Sequence, residues 1–352
     1  MTATAQVPLA DAARALAERA PGRAESTAPF GAVEAEAHRL LPALAGLRPT
    51  LGATPLVPVP SAGGRGRVWL KLESGNATGT VKARTAYALL CAALARAGSA
   101  RVRLVEYSGG SLAVALAEFC ALLGLDLHLV VPYGAPERLV RALRNQGAEV
   151  SSGREGTGFL GALDEAVRVS ESQGRQLLLQ HCAAEAAAMH REHTGAELAG
   201  QLAQQGVAPA ALAASVGTGG TVLGVSLALR ERWPDLRTLA VFPAEAPYGD
   251  TAAPNAERRM NGTGGLGHGL RQPLLAPFQE RFEFRTVGYP DALDAMRQLR
   301  AAHGIAVSSS GGGAWLAASQ VVDNTDGGGS TDALAVVAGR GTIEEWSHAA
   351  GD

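Results

Sequence analysis

Short apolar runs, each followed by a small-residue loop and then a helical stretch, recur along this chain, and that rhythm leaves few folds open. Val68-Trp-Leu-Lys-Leu72 alternates as a strand, residues 75–80 form a loop and 81–95 have helical character. The order then repeats: a strand over 101–106, the loop Ser108-Gly-Gly-Ser111, a helix over 112–123 and a buried-type strand over 127–132. A helix over 136–146, a strand over 148–150 and helices over 164–171 and 190–204 follow. From residue 210 the rhythm resumes with a strand to 216, the loop Gly217-Thr-Gly-Gly-Thr221, a helix to 232 and a strand over 238–243. A late strand is expected over 333–338, after a flexible surface loop over 323–331. Strands separated by helices pair in parallel, and parallel sheets are covered on both faces. The expectation is an α/β fold.

Length divides it further. At 352 residues two domains are expected, each with a mostly parallel sheet flanked by helices. Residues 1–50 read as an N-terminal helical arm, with helical spacing near 8–19 and 33–46 broken at Pro21 and Gly22. The two α/β domains are placed at 51–183 and 184–352.

Charge and composition narrow the partners. With 47% hydrophobic and 18% charged residues the chain can fill a large core, and a net charge of -2 supplies no footprint for nucleic acid or an anionic membrane surface. No run approaches the ~18 apolar residues of a membrane span. Cys91, Cys120 and Cys182 are scattered without C-x-x-C spacing, as in proteins of a reducing compartment. A small-molecule partner and a cytoplasmic location are expected.

The 31 basic residues comprise 29 arginines and two lysines, Lys71 and Lys82. Arginine cannot shed its proton, whereas a lysine amine becomes a nucleophile when desolvated or set beside a cation. Either a lysine is kept for that chemistry or the two are chance leftovers of composition. Lys82 follows the small polar loop Asn76-Ala-Thr-Gly-Thr-Val at a helix start, where the helix dipole and partial burial favour the neutral amine. A solvated helix-start lysine is the plainer alternative. Gly217-Thr218-Gly219-Gly220-Thr221 lies between a strand and a helix, where backbone N–H groups can cradle a phosphate. Val222 breaks a dinucleotide fingerprint and no Gly-Lys pair exists for a triphosphate loop, so the ligand phosphate is smaller, or the loop is only a turn.

Taken in order, Leu70-Lys-Leu-Glu73, Asn76-x-Thr-Gly-Thr-Val-Lys82, Ser108-Gly-Gly-Ser-Leu-Ala113, Gly217-Thr-Gly-Gly-Thr221 and Ser309-Ser-Gly311 resemble the superfamily of pyridoxal-phosphate enzymes that holds cysteine synthase and the tryptophan synthase β-subunit. The resemblance spans residues 54 to about 345 and implies that superfamily's fold and its cofactor, pyridoxal 5'-phosphate. It implies Lys82 as the lysine that forms the internal aldimine, and Gly217, Thr218, Gly219, Gly220 and Thr221 as the phosphate cup. Ser108, Gly109, Gly110, Ser111 and Leu112 would hold the substrate α-carboxylate at a second helix N-terminus. His190 with Thr194-Gly195 matches the segment between the domains, which places Gln180 near the substrate. The sequence also departs from the pattern. Ser111 stands where an asparagine faces the cofactor's phenolic oxygen, or Gly110 does if the register slips by one, and Leu112 replaces a threonine. Ala83 replaces an aspartate, and Ala183 to Ala187 lack the usual Asn-Pro repeats. Arg340 falls where a serine or threonine faces the pyridine nitrogen, unless Thr342 or a nearby hydroxyl fills that place. Arg271, in Gly267-His-Gly-Leu-Arg271, is either a substrate contact at the mouth or a surface cation. His181, His190, His193 and Cys182 show no zinc-ligand spacing, and no metal is expected.

The implied reaction is β-replacement on an O-activated L-serine through an aminoacrylate, because residues 106–132 and 177–197 resemble the cysteine synthase branch more closely. Elimination, as in serine and threonine ammonia-lyases, is the alternative, and the changes at 111, 112 and 340 raise a second, a binding protein that has lost catalysis. The implied partners are an amino-acid substrate, a small nucleophile and a second copy of the chain in a homodimer.

Overall fold

The computed structural model describes residues 10–324 and 332–351. Among these, ten strands sort into two sheets. β1 (Leu56–Pro60), β2 (Arg67–Leu72), β7 (Ala211–Ser215), β8 (Arg237–Pro243), β9 (Glu283–Val287) and β10 (Asp332–Val337) form the larger, in the order β1-β2-β10-β7-β8-β9. Only the β1–β2 pair is antiparallel. β3 (Arg103–Tyr107), β4 (Asp126–Val131), β5 (Glu149–Ser152) and β6 (Gln176–Leu177) form the smaller, all parallel, in the order β5-β4-β3-β6.

The unbroken apolar runs of the central strands follow from cover on both faces. Along β2 and β10, Val68, Leu70, Ala333, Ala335 and Val337 enter one core, while Trp69, Leu334 and Val336 enter the opposite one. A one-residue slip would exchange the two sets. Asp332 guards that register: it accepts from Arg67 Nε at 2.9 Å and from Trp69 Nε1 at 2.8 Å across the β2–β10 pair.

The helices are α1 (Ala10–Glu18), α2 (Arg23–Ser26), α3 (Gly31–Leu40), α4 (Lys82–Ala97), α5 (Ser111–Leu123), α6 (Glu137–Asn145), α7 (Gly158–Gln173), α8 (Ala184–Met189), α9 (Ala196–Gln204), α10 (Gly220–Arg232), α11 (Tyr289–His303), α12 (Ser309–Asp323) and α13 (Ile343–Ala350). The stretch expected as one helix over 190–204 opens with a π-helical turn, His190–Gly195, before α9. The arm is packed down: Ala12, Ala15 and Leu16 of α1 join Leu163 and Ala166 of α7 in one core, and Ala12 N donates to Asp164 Oδ1 at 3.1 Å. α12 escapes sequence reading because three glycines crowd its first turns, a poor helix signal. Packing supplies the reason, since a Cβ on Gly312 would stand 2.6 Å from Ala292 O on α11.

The strand partition differs from a division at residues 183 and 184. β1 and β2, expected with the first domain, pair into the sheet of the second, and the smaller sheet draws only on residues 103–177. A two-strand ribbon is marginal alone, and β10, though distant in sequence, gives β2 a full parallel partner. The chain therefore enters the larger sheet, leaves it at Lys82 to build the smaller one, and returns. Of the loop expected over 323–331, residues 325–331 lie outside the described residues. Among the described residues no helix is long and apolar enough to cross a membrane.

Candidate active site

Ligand sites in parallel sheets form at the carboxyl ends of the strands, and three such ends meet here. Val81 N donates to Ala338 O at 2.9 Å, and Thr80 bridges Gly339, so the loop before Lys82 is held at the exit of β10. Ser308 N donates to Gly339 O at 2.9 Å, which brings the start of α12 to the same exit. The loop after β7, Gly217 to Thr221, opens beside it, and Ser215 Oγ donates to Ser310 O at 2.6 Å.

Lys82 is the first residue of α4, and burial pushes its amine down to about 8, against an opposing pull from Glu106. No side chain among the described residues bonds its Nζ. Lys71 differs. Its Nζ donates to Thr54 O at 2.7 Å, to Gln201 Oε1 at 2.8 Å and to Glu197, so it is committed to the scaffold. On Lys82's own loop, the hydroxyl of Thr78 is buried without a partner.

The 217–221 loop is a cradle. Gly219 sits at φ +96°, in the region that favours glycine. A Cβ there would stand 2.6 Å from Leu275 Cγ, and one on Gly217 2.5 Å from Gly262 O. The backbone N–H groups of Thr218, Gly219, Thr221 and Val222 have no partner among the described residues, and they open α10 at its positive end. Beneath them His190 Nε2 lies 3.2 Å from Thr221 Oγ1 and 3.5 Å from Thr85 Oγ1, while Nδ1 lies 3.0 Å from Thr194 Oγ1. Burial, then the cations of Arg84 and Lys82, hold this imidazole well below its usual range. His190 thus joins the helix of Lys82 to the cradle as a neutral ring.

The smaller sheet reaches this cluster at Glu106, which acts electrostatically on the Lys82 amine. β3 ends in Glu106 and Tyr107, and α5 starts at Ser111 after Ser108, Gly109 and Gly110. Gly109, Gly110 and Ser111 are exposed, and the N–H groups of Ser111, Leu112 and Ala113 are free of backbone partners. Ser108 is buried, with its Oγ 3.4 Å from Gly110 N. Gln180 is buried and donates from Nε2 to Tyr107 O at 3.0 Å. Leu179 before it takes φ +53°, a left-handed conformation uncommon outside glycine, which starts the turn carrying Gln180 and His181.

Three expected residues are not brought into this cluster. Leu112 offers its N–H, but its side chain is buried in the core between α4, α5 and β4. Arg271 is exposed, donates to Gln279 Oε1 at 2.9 Å and lies over the Tyr248 ring. Arg340 is exposed and its guanidinium has no partner among the described residues; only its carbonyl is engaged, by Trp346 Nε1 at 2.9 Å. Thr342 is occupied too, as the N-cap of α13. The hydroxyls at the exit of β10 are those of Ser308, Ser309 and Ser310, which belong to a motif the sequence displays.

Sequence reading passed over Glu106. Both of its carboxyl oxygens are buried without a well-formed hydrogen bond among the described residues, and burial pushes the group up to about 8, although the nearby backbone N–H groups of Gln180, Tyr107 and Leu179 offset part of the rise. A carboxylate inside the apolar run Leu104 to Tyr107 was the available signal. The cradle, the desolvated amine, and the orphaned Thr78 and Glu106 together fit a phosphate-bearing aldehyde cofactor.

Comparison with known proteins agrees with this geometry. The family described as pyridoxal-phosphate dependent enzyme matches residues 47–339. The chain is 30% identical over 285 residues to cysteine synthase B of Salmonella typhimurium, covering 80% of this chain and 89% of that one. It is 32% identical over 286 residues to N-(2-amino-2-carboxyethyl)-L-glutamate synthase of Cupriavidus metallidurans, covering 78% and 81%. Its fold is similar to a crystal structure of cysteine synthase from Entamoeba histolytica, with a TM-score of 0.72 at 22% identity over 86% of this chain and 88% of that one.

Proposed function

Because the chain belongs to the family of pyridoxal-phosphate-dependent enzymes, we propose that it catalyses β-replacement on an O-activated L-serine, exchanging the leaving group for a small nucleophile. The observation that carries this is a desolvated Lys82 amine, unbonded among the described residues and within electrostatic reach of Glu106 on β3, the strand that leads directly into the open N–H groups at the head of α5.

Lys82 would bind the cofactor through its amine, and the N–H groups of Thr218, Gly219, Thr221 and Val222 its phosphate. Gly219 and Gly217 let the loop pack against Leu275 and Gly262 in the shape that leaves those N–H groups free. When bound, pyridoxal phosphate supplies the electron sink for charge at the substrate's α-carbon. The N–H groups of Ser111, Leu112 and Ala113 orient the α-carboxylate at the positive end of α5, with Gln180 beside it. Lys82, neutral in a useful fraction near pH 8, takes and returns the proton at Cα. The hydroxyls of Ser308, Ser309 and Ser310, at the exit of β10, would supply the polar groups near the cofactor's ring nitrogen.

The cysteine synthase relatives support sulfur as the incoming atom. The relative named for N-(2-amino-2-carboxyethyl)-L-glutamate, at 32% identity against 30% for cysteine synthase B, supports nitrogen equally well. The test is acceptor dependence: purified holoenzyme is given O-acetyl-L-serine with and without sulfide or an amino acid. Replacement predicts an amino-acid product only with the acceptor. Keto acid and ammonia released at the same rate without one would overturn it in favour of an ammonia-lyase.

A further inference from the structure

Tyr107 and His181 form a buried pair that the reaction above does not employ. Tyr107 ends β3 immediately before the 108–110 loop, and His181 follows Gln180. The hydroxyl of Tyr107 lies 2.7 Å from His181 Nδ1, the rings are stacked within 14° at 5.7 Å, and Phe159 packs against both. His181 is 5% exposed and Tyr107 fully buried.

The direction of that hydrogen bond follows from proton accounting. Besides His181 Nδ1, only the backbone N–H of His181 reaches the Tyr107 hydroxyl, and that group is a donor, so no other acceptor is on hand among the described residues. If it accepted from Nδ1–H, its own proton would be buried without an acceptor, which is costly. It therefore donates, Nδ1 accepts, and the neutral ring carries its proton on Nε2. Burial, with the Lys82 ammonium next, pushes the imidazole down to about 3, so the ring stays neutral at working pH. Nε2 has no partner among the described residues, yet it is not one of the sealed polar atoms. A locked aromatic ring thus presents one N–H donor beside Gln180, within electrostatic reach of Lys82.

The α-carboxylate already has the N–H groups of α5, so this donor serves another oxygen. We propose that His181 Nε2–H is a specificity donor for a carbonyl or carboxylate oxygen on the group leaving, or arriving at, the substrate's β-carbon. Bare sulfide and halide carry no such oxygen and gain nothing from it. The inference rests on the β-replacement reading, but its first test needs no turnover.

In holoenzyme labelled with 15N-histidine, NMR should show His181 protonated on Nε2, and acetate, as the oxygen-bearing probe, should shift that signal where chloride does not. Tyr107→Phe should let the other tautomer appear. In turnover, His181→Phe should lower kcat/KM about tenfold, the worth of one neutral hydrogen bond, and His181→Gln, which keeps an N–H, should recover part of it. A loss with O-acetyl-L-serine but not β-chloro-L-alanine, both with sulfide, assigns the oxygen to the leaving group. A loss confined to glutamate as acceptor assigns it to the nucleophile. Equal losses with β-chloro-L-alanine and sulfide, an Nδ1–H tautomer in the unmutated enzyme, or no response to acetate would each overturn the proposal. If no donor and acceptor pair turns over, the β-replacement reading fails while the NMR result still decides the role of His181. Should His181→Phe not fold, Tyr107→Phe and the unmutated enzyme carry the same spectroscopic test.

Discussion

Lys71 and Lys82 are eleven positions apart and meet opposite fates. Lys71 is buried among Thr54 O, Gln201 and Glu197, which keep it bonded, while Lys82 is desolvated with no partner for its Nζ among the described residues. Borohydride reduction of the holoenzyme followed by peptide mapping should place the pyridoxyl group on Lys82 and none on Lys71. Lys82→Ala and Lys82→Arg should both lose turnover, since neither offers a deprotonatable amine. Glu106 makes the complementary prediction. Its carboxyl ionises near 4.5 when unfolded and near about 8 when folded. Between those values the native state holds a proton that the unfolded state has lost, so stability falls as pH rises through that window and levels off above it. Lys82 works in the opposite sense from about 8 to 10.5, where only the unfolded state keeps the proton. In cofactor-free protein, the urea midpoint should therefore fall with pH from about 5 to about 8, and Glu106→Gln should flatten that fall. A variant that keeps the full slope would show that Glu106 is not its source.

The 217–221 cradle is an element-scale device, a strand exit and a helix entry joined by residues that must lack side chains. At Gly219 a side chain would meet both an unfavourable φ and Leu275, whereas at Gly220 a Cβ would find its nearest neighbour at an ordinary 3.6 Å. Gly219→Val should weaken cofactor binding by at least tenfold with a smaller loss of stability, roughly 1–3 kcal/mol, and Gly220→Ala should weaken it far less. Titrating cofactor-free protein with pyridoxal phosphate by absorbance, alongside thermal unfolding, separates the two effects. The motif was legible because glycines between a strand and a helix have few other uses. The π-helical turn beneath it was not, because its shape is set by α10 packing on His190–Gly195 and not by those residues' own preferences.

At the scale of the molecule, one buried ionic cluster ties the crossing of the chain between its two sheets. Glu197 of α9 meets both Lys71 of β2 and Arg84 of α4, and Arg84 is also gripped by Glu73, its Nε donating at 2.7 Å. Glu197 is 20% solvent-exposed at its side chain while its cations are sealed. Removing it strands the Lys71 charge and leaves Arg84 to Glu73 alone, so Glu197→Ala should cost roughly 2–4 kcal/mol, somewhat below a fully buried pair, read as a lower urea midpoint with unchanged slope. The sequence by itself determined the α/β class, and it singled out the 217–221 loop and Lys82 as candidates, because these rest on local order: apolar period, loop glycines, and a lysine kept in a chain that otherwise uses arginine. The tertiary structure decided the rest. It returned β2 to the sheet of β10, kept Leu112 in the core, left Arg271 and Arg340 at the surface, set Glu106 and His181 within electrostatic reach of the amine, and paired Tyr107 with His181. Those outcomes depend on which distant segments share a dry interior, where an unpaired proton or charge is costly, and no window of neighbouring residues records that.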